Sequence, residues 1–367
     1  MKIPLLRPTL PPFKAVEKKL KDTLESGMLS EARYVREFER KAARHLGVQY
    51  VAACSSGTAA LTLALLALGI KDGEVIIPSF TYSSDGHVLL WVGLEPAFAD
   101  INAKTLNLDP ASIEKNITTR TKAIMPTHIF GNPCDVDAIG RIAKKHSLQV
   151  IYDATHAFGS TYRGKSVMAY GDASVISFTP TKVLTTGEGG MVVGQSKEFI
   201  EKVAQGKYNG DSFKRESEFL GITARMGEWN AILGIEGLKI LPRHLRERMK
   251  LVALYKRELG AIPGIAMQEI EPHGVSNYKD FVIFVDKNTF GVSRDELLEM
   301  LRKHNIETKV YFYPLHKKKM YTKFAPKELP NTELVAGQIM NLPLYSHMPE
   351  AFVRKVCLII KKAYRKQ

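Results

Sequence analysis

The sequence predicts an α/β protein in which a large domain with a mostly parallel sheet covered by helices is followed by a small C-terminal α/β domain. Short apolar runs alternate with helical patterns from about residue 50 to residue 240, and the alternation resumes on a smaller scale in the last third. Such alternation is typical of parallel strands joined by covering helices. We expect the large domain to span residues 1–245 and the small domain residues 246–367.

The predicted elements follow from these runs. The strands of the large domain are VIIPS (75–79), PAFAD (96–100), KAIMP (122–126), QVIYD (149–153), SVISF (174–178) and MVVG (191–194). Amphipathic segments such as 135–146 lie between them and are predicted to be helices. A helical pattern from about 228 to 259 is expected to be interrupted at Pro242. The smaller unit is predicted from VIFVD (282–286), a helix over 293–304 and TKVYFYP (308–314).

Composition and charge limit the possible functions. The net charge of +14 favours an anionic partner, but there is no helix-turn-helix extension, RNA-binding motif or G-x-G-x-x-G turn of a nicotinamide-dependent oxidoreductase. The three cysteines have no metal-binding or redox spacing, so no metal is expected. The longest apolar run is too short to cross a bilayer, and the start MKIPLLRP lacks the features of a secretory signal. We therefore expect a cytoplasmic protein without nucleic-acid or membrane partners.

The first candidate functional segment is SSGTAA (55–60), between the apolar run QYVAAC and a helical pattern. Ligands of α/β sheets bind beyond the carboxyl ends of the strands. Small residues at a helix N-terminus expose backbone amides, and the hydroxyls of Ser56 and Thr58 add donors, so this segment suits a phosphate. A capping turn without a ligand is the competing interpretation.

Two further candidates lie at strand ends. Asp153 ends QVIYD, where a carboxylate can keep a proton on a ring nitrogen, although a cap or a hydrogen-bonded turn is the commoner role. Lys182 lies in SFTPTKVLTTGEGG (177–190), between a strand and a glycine-rich loop. Burial there lowers the pKa of an amine and makes it a nucleophile toward aldehydes, whereas most loop lysines are solvated surface charges.

These segments occur together in the order of a known family. The runs SSGTAALTLAL, PSFTYSSDGHVLLWVGLEPAFADI, YDATHAFGS and SFTPTKVLTTGEGG resemble the sugar-nucleotide aminotransferases of the DegT/StrS group, and the similarity extends from KIPLLRPTLPP to YFYPLH. The resemblance implies the type I aminotransferase fold with its seven-stranded type of sheet, and pyridoxal 5′-phosphate (PLP) as cofactor. It also implies transamination from glutamate to a nucleotide-linked keto-deoxysugar for amino-sugar biosynthesis, such as that of lipopolysaccharide O-antigen. The segments SGMLSE and HIFGNPCDV are closer to members that act at the sugar's 4-position than at its 3-position.

Carried over onto this sequence, the resemblance implies roles for individual residues. The catalytic residues are Lys182, which forms a Schiff base with the cofactor, and Asp153, which pairs with the pyridinium nitrogen. His156 is expected near the cofactor's phenolic oxygen, and Tyr82 is expected to stack on the ring rather than to fill the core. The expected phosphate contacts are hydroxyls and amides of Ser56, Gly57, Thr58, Ala59 and Ser177.

The resemblance further implies a homodimer with shared active sites. Arg225, in GITARM (221–226), is expected to reach the cofactor phosphate of the partner subunit, although pairing with a local carboxylate such as Glu228 is an equal alternative. Thr223 stands where the family generally has Asn. The candidate substrate contacts are Arg33 and His316, and for His316 a plain surface position is the alternative.

Two other functions stay open at this point: an aminotransferase for a cyclitol ketone and a non-catalytic PLP-binding sensor. Dehydrating sugar enzymes resembling this family have histidine in place of the lysine. Because this chain has Lys182, transamination is preferred over dehydration.

Overall fold

The computed structural model describes residues 2–211, 216–326 and 328–364. Its helices are α1 (Phe13–Ser26), α2 (Arg33–Leu46), α3 (Gly57–Leu68), α4 (Ser83–Trp91), α5 (Pro110–Asn116), α6 (Val136–His146), α7 (Lys197–Gly206), α8 (Glu228–Leu259), α9 (Lys287–Phe290), α10 (Arg294–Lys303), α11 (Pro330–Gln338) and α12 (Glu350–Tyr364). Its strands are β1 (Tyr50–Cys54), β2 (Glu74–Pro78), β3 (Glu95–Ala99), β4 (Thr121–Ile124), β5 (Gln149–Asp153), β6 (Thr161–Tyr162), β7 (Lys165–Ser166), β8 (Ala173–Ser177), β9 (Gly190–Gly194), β10 (Ile265–Met267), β11 (Gly274–Val275), β12 (Phe281–Val285) and β13 (Ile339–Leu342).

Within the described residues, a seven-stranded sheet has the order β1-β9-β8-β5-β4-β2-β3. β9 runs antiparallel to both of its neighbours, β1 and β8. The other neighbouring pairs are parallel. The mostly parallel sheet predicted from the sequence is therefore confirmed, and each predicted strand of the large domain overlaps an observed one.

Helices cover both faces of this sheet. Alternate residues of one strand enter two different apolar clusters: Ile76 belongs to one, whereas Val75 and Ile77 belong to the other. Side chains of a strand point alternately to its two faces, so a strand whose side chains are apolar on both faces must be covered on both. This explains why the strands appear in the sequence as continuous apolar runs.

A smaller antiparallel sheet, with the order β10-β12-β13 in the described residues, packs with the last part of α8, α10 and α12. The start of the chain joins this second core: Ile3 pairs with Ile306, and the amide of Leu344 donates to the carbonyl of Leu5 at 3.0 Å. α8 passes through residue 245 without a break. The division into domains at that residue stays a prediction.

One predicted feature of the later chain is wrong. α8 is not interrupted at Pro242, because buried side chains such as Leu238 and Leu241 hold the helix against the core and outweigh the lost hydrogen bond. The segment 308–314 forms only one isolated bridge, Lys309 with Asn341. β13 pairs with β12 in the small sheet, while 308–314 crosses to the large sheet.

None of the helices in these described ranges combines the length and the apolar character that a membrane span requires.

Candidate active site

The predicted site residues meet at one edge of the large sheet. Asp153 is the last residue of β5 and Ser177 the last of β8, and these two strands are parallel. β9 lies between β8 and β1, and its Gly190 pairs both with Ser177 and with Cys54, the last residue of β1. The ends of β1, β8 and β5 therefore open onto a common space.

The turn from β1 to α3 packs closely against the end of β8. A Cβ atom added to Gly57 would lie 2.7 Å from Cβ of Ser177, so only glycine fits there without a shift. The hydroxyl of Ser56 caps α3 by accepting the amide of Ala59 at 3.1 Å. The cap uses the amide of Ala59, but the Ser56 hydroxyl only accepts in it and keeps its own proton to donate. The hydroxyls of Ser56, Thr58 and Ser177 and the amides of Gly57 and Thr58 therefore suit a phosphate at this helix N-terminus.

Asp153 is a buried carboxylate held in a defined orientation. Its side chain is 2% exposed, and Oδ1 accepts the amide of Thr155 at 2.8 Å. Burial raises the pKa of Asp153, while the Thr155 amide and the charge of Lys182 oppose the rise. Lys182 and Asp153 are therefore close enough to interact electrostatically, as the predicted site requires.

The amine of Lys182 is enclosed by protein, although the residue as a whole is only half-buried. Its loop is held by hydrogen bonds from the Lys182 amide to Thr179 O (3.0 Å) and from Asn230 Nδ2 to Thr186 O (2.8 Å). Burial, together with the positive charge of Lys279, lowers the pKa of Lys182 to about 7. At neutral pH a large share of this amine is therefore unprotonated and nucleophilic.

His156 is a buried, neutral imidazole. Its Nδ1 accepts the amide of Phe130 at 3.2 Å, and burial lowers its pKa far below the ordinary value. The ring therefore carries its proton on Nε2, which can donate to an acceptor in the site. Its face lies against Phe312 at a centroid distance of 6.1 Å, and Tyr82 approaches the same Phe312 ring at 6.5 Å. Tyr82 is 62% exposed and lies at the mouth of the site rather than in the core.

The two candidate arginines are exposed and lie over aromatic rings. Arg33 lies over Tyr34, and Arg225 lies over Tyr208 with its guanidinium carbon 5.5 Å from the ring centre. The alternative pairing of Arg225 with Glu228 is wrong, since no ion pair joins these two described residues.

Glu228 instead accepts backbone amides at the start of α2. Its carboxylate receives hydrogen bonds of 2.7–2.9 Å from Ala32, Tyr34 and Val35. A carboxylate suits the N-terminus of a helix, where amides lack partners within the helix.

His316 is not at the surface, contrary to the alternative weighed for it. The ring is buried, with Nδ1 2.6 Å from the hydroxyl of Ser79 at the end of β2 and Nε2 3.5 Å from a carboxylate oxygen of Glu333. Both ring nitrogens thus face protein groups that join the later chain to the large sheet. A contact between His316 and substrate stays a prediction.

Two charged residues of this region were missed in the sequence. Asp85 is fully buried on α4, below the end of β2, and Lys279 is buried beside Lys182 with its amine 2.8 Å from Asp280. Lysines and aspartates are mostly exposed, so nothing local in the sequence marks either residue as part of a site. Their part in the site becomes visible only in the folded structure, where they lie close to the strand ends that carry the predicted site residues.

The residues at this edge fit PLP. Gly57 leaves room for a phosphate beside Ser177, Lys182 supplies a nucleophilic amine, and Asp153 supplies a buried acid for a ring nitrogen. His156 adds a neutral donor. No cluster of three or more metal-binding side chains occurs in the ranges that the structure describes.

Comparison with known proteins agrees with this geometry. The model of the DegT/DnrJ/EryC1/StrS aminotransferase family matches residues 14–361. The chain is 36% identical over 329 residues to the dTDP-4-amino-4,6-dideoxy-D-glucose transaminase of Shigella dysenteriae, with 89% of each chain covered. It is 35% identical over 333 residues to the GDP-perosamine synthase of Caulobacter vibrioides, again with 89% of each covered.

Comparison with solved structures also finds sugar aminotransferases. DesI, analysed in the presence of its TDP-sugar product, has a TM-score of 0.94 and 31% identity, covering 100% of this chain and 94% of that one. The PLP form of a putative sugar aminotransferase from Streptococcus pneumoniae has a TM-score of 0.92 and 25% identity, covering 100% and 99%. Because the family match spans nearly the whole chain, the protein belongs to the DegT/DnrJ/EryC1/StrS aminotransferase family and is a PLP-dependent aminotransferase.

Proposed function

We propose that the protein transfers an amino group from glutamate to the 4-keto group of a nucleotide-linked deoxysugar. The observation that carries the proposal is the amine of Lys182, whose pKa is lowered to about 7 beside Asp153 and His156. The name of the Shigella relative supports the 4-position. The relatives' nucleotides differ, dTDP in one and GDP in another, so the proposal includes no particular nucleotide.

Lys182 performs two tasks in this proposal. PLP, when bound, supplies an electron sink for the electrons left on a carbon that has lost its proton. The amine of Lys182 would hold the cofactor through its aldehyde carbon, with release of water. After the amino donor had taken its place, the freed amine would move the proton from the donor's α-carbon to the cofactor's C4′. An amine with a pKa of about 7 can both accept and release that proton at neutral pH.

The other residues act by position and charge. Asp153 accepts the hydrogen bond of the ring N–H and keeps that proton in place. Nε2–H of His156 donates to the phenolic oxygen. Thr58 and Ser177 donate to the phosphate, and Tyr82 covers the ring face from the mouth of the site. Asp153 and His156 are held by the amides of Thr155 and Phe130 before the cofactor binds, which makes this part of the site preorganised.

The overall charge of the protein suits an anionic substrate. The net charge is +14, and positive side chains stabilise phosphate oxygens through charge-assisted hydrogen bonds. The small cavity that reaches Lys182 adds nothing to this argument, because its volume is about 10 Å³ and its Arg248 and Lys279 already bind protein groups. The net charge therefore supports a substrate that carries a diphosphate.

We also propose a homodimer with shared sites. Large apolar side chains are exposed near Arg225, including Met28 (58%), Leu220 (79%) and Trp229 (48%). Exposed apolar side chains grouped in this way mark interaction surfaces. A symmetric partner would bury them and bring Arg225 toward the cofactor phosphate of the other subunit.

The proposal is tested with purified PLP-loaded protein. Glutamate is expected to bleach the visible absorbance of the bound cofactor, and a dTDP- or GDP-linked 4-keto-6-deoxysugar is expected to restore it with formation of an amino sugar. Lys182→Ala is the control and is expected to lack both changes. Turnover of the 3-keto isomer alone would overturn the 4-position, and a response to glutamine alone would overturn the donor.

A further inference from the structure

Asp85 is an acidic side chain buried under the active site. It lies in the first turn of α4 and has no exposed surface. Its Oδ2 lies 2.5 Å from the hydroxyl of Thr81 and 3.0 Å from that of Thr127. These two hydroxyls hold the carboxyl group in one orientation, and a carboxyl group without exposure needs such partners.

The same contacts bring Asp85 to Asp153. Thr127, which follows β4, pairs with Asp153 at the end of β5, and the amide of Asp153 donates to Pro126 O at 2.9 Å. The carboxyl groups of Asp85 and Asp153 are therefore close enough for each to act on the charge of the other. Two buried carboxyl groups in contact do not both carry a negative charge, because burial and mutual repulsion act in the same direction.

The surroundings decide which of the two keeps the proton. Burial and the negative charge of Asp153 raise the pKa of Asp85 well above its ordinary value, and the hydroxyls of Thr81 and Thr127 only partly oppose this rise. Asp153 has the amide of Thr155 and the charge of Lys182 on its side, and both favour its anion. Tyr321 also faces Asp85, but burial raises its pKa to about 12, so it is neutral.

We propose that Asp85 is a positioning residue that stays protonated, donates a hydrogen bond to Asp153, and thereby holds Asp153 as the anion facing the ring nitrogen of PLP. The inference rests on the proposed role of Asp153. A carboxylate that accepts a hydrogen bond is a weaker base. The proton between Asp153 and the ring nitrogen is therefore held on the nitrogen, and the ring remains a strong electron sink.

The test is the 15N resonance of protein loaded with ring-15N-labelled PLP, which reports protonation of the ring nitrogen directly. Asp85→Asn keeps an N–H donor toward Asp153, so we expect its resonance and PLP affinity to match the unchanged protein. Asp85→Ala loses the donor, so its resonance is expected to move toward the unprotonated position, with PLP bound about tenfold more weakly. Asp85→Ser, whose side chain is too short to reach Asp153, gives the same expectation if the alanine variant does not fold.

A matched control is Asp100→Ala. Asp100 is also buried and also accepts a threonine hydroxyl, from Thr332 at 2.7 Å, but belongs to a contact between β3 and α11. Its loss is expected to leave the 15N resonance unchanged, which separates a local effect from general destabilisation.

Three outcomes would overturn the inference. The first is an unchanged resonance in Asp85→Ala or Asp85→Ser with PLP bound. The second is a resonance in Asp85→Asn that moves toward the unprotonated position, and the third is a resonance that moves as far in Asp100→Ala as in Asp85→Ala. Asp153→Ala distinguishes the two levels of the argument. If Asp153→Ala leaves the resonance unchanged, the proposed role of Asp153 fails. If Asp153→Ala moves it and Asp85→Ala does not, only the role of Asp85 fails.

Discussion

The reactivity of Lys182 depends on its neighbours as well as on its own burial. After burial, the charge of Lys279 is the largest influence that lowers the pKa of Lys182, and Asp153 and Asp280 oppose it. Lys279 is itself buried and paired with Asp280. A second buried lysine thus acts at a distance on the residue that we propose performs the chemistry.

The first prediction concerns Lys279→Met. Losing its charge leaves Asp280 without a partner, so the pKa of Lys182 is expected to rise. The unprotonated amine is the reactive form, so PLP attachment to the ligand-free protein is expected to become faster as pH rises through about 7 in the unchanged protein. In Lys279→Met the same increase should occur at higher pH. Stopped-flow absorbance at several pH values measures both.

The control for this experiment is Lys309→Met. Lys309 and Lys279 both lie over the ring of Tyr311, but Lys309 is exposed and is not among the main influences on Lys182. An equal movement of the pH profile in both variants would show that the effect is not specific to Lys279.

The sequence predicts some site residues and not others for physical reasons. Asp153 was found because it ends an apolar strand, where α/β proteins bind ligands, and Lys182 because it lies in the loop between a strand and a glycine-rich segment. Ser177 was found only through the family resemblance. Asp85 and Lys279 depend on contacts between segments far apart in the chain, which no local pattern records.

Among the elements, the turn from β1 to α3 has the strictest steric requirement. Gly57→Ala would place a methyl group 2.7 Å from Cβ of Ser177, so the turn must shift away from the phosphate position. Overpacking of this kind costs roughly 1–3 kcal/mol, and we expect PLP affinity to fall about tenfold or more. Titration of the ligand-free protein with PLP measures this. Gly140→Ala, where a Cβ would meet nothing within 4 Å, is the control, and equal affinities would contradict the prediction.

The N-terminus of α2 is capped by one side chain that is distant in the sequence, Glu228 at the start of α8. Glu228→Ala removes the acceptor of three backbone amides and is expected to lower the free energy of unfolding by about 3 kcal/mol, because buried amides are left without partners. Chemical denaturation checks this value. Glu198→Ala changes an exposed glutamate in the first turn of α7 and is expected to change it by less than about 0.5 kcal/mol. An equal loss of unfolding free energy in the two variants would contradict the role of Glu228 as a cap of α2.

Element positions were more predictable than the way elements join. The strands of the large sheet lie within a residue or two of their predicted bounds, because burial on both faces leaves a continuous apolar run. The uninterrupted α8 and the irregular 308–314 segment were not predictable, since packing against distant residues decided both.

For the whole molecule, the shared-site proposal predicts complementation. Lys182→Ala and Arg225→Ala protomers are each expected to be impaired, but a mixed dimer has one site with both native residues. Mixing them under conditions of demonstrated subunit exchange is therefore expected to restore activity. Lys182→Ala mixed with Asp153→Ala is the control, because both residues belong to the same subunit's site. Absence of recovery in the first mixture, with Arg225→Ala alone impaired, would contradict a shared site.

The position of β1 at the edge of the large sheet has a consequence for how the chain folds. β1 hydrogen-bonds only to β9 in the sheet order, and Tyr50 pairs with Gly194, well over a hundred residues later. Closing so long a loop costs conformational entropy before any contact repays it, and such distant pairings form slowly. The turn after β1, where we propose that the phosphate binds, therefore takes shape only once β9 has docked, late in folding. PLP is expected to stabilise the finished protein by mass action without accelerating its refolding.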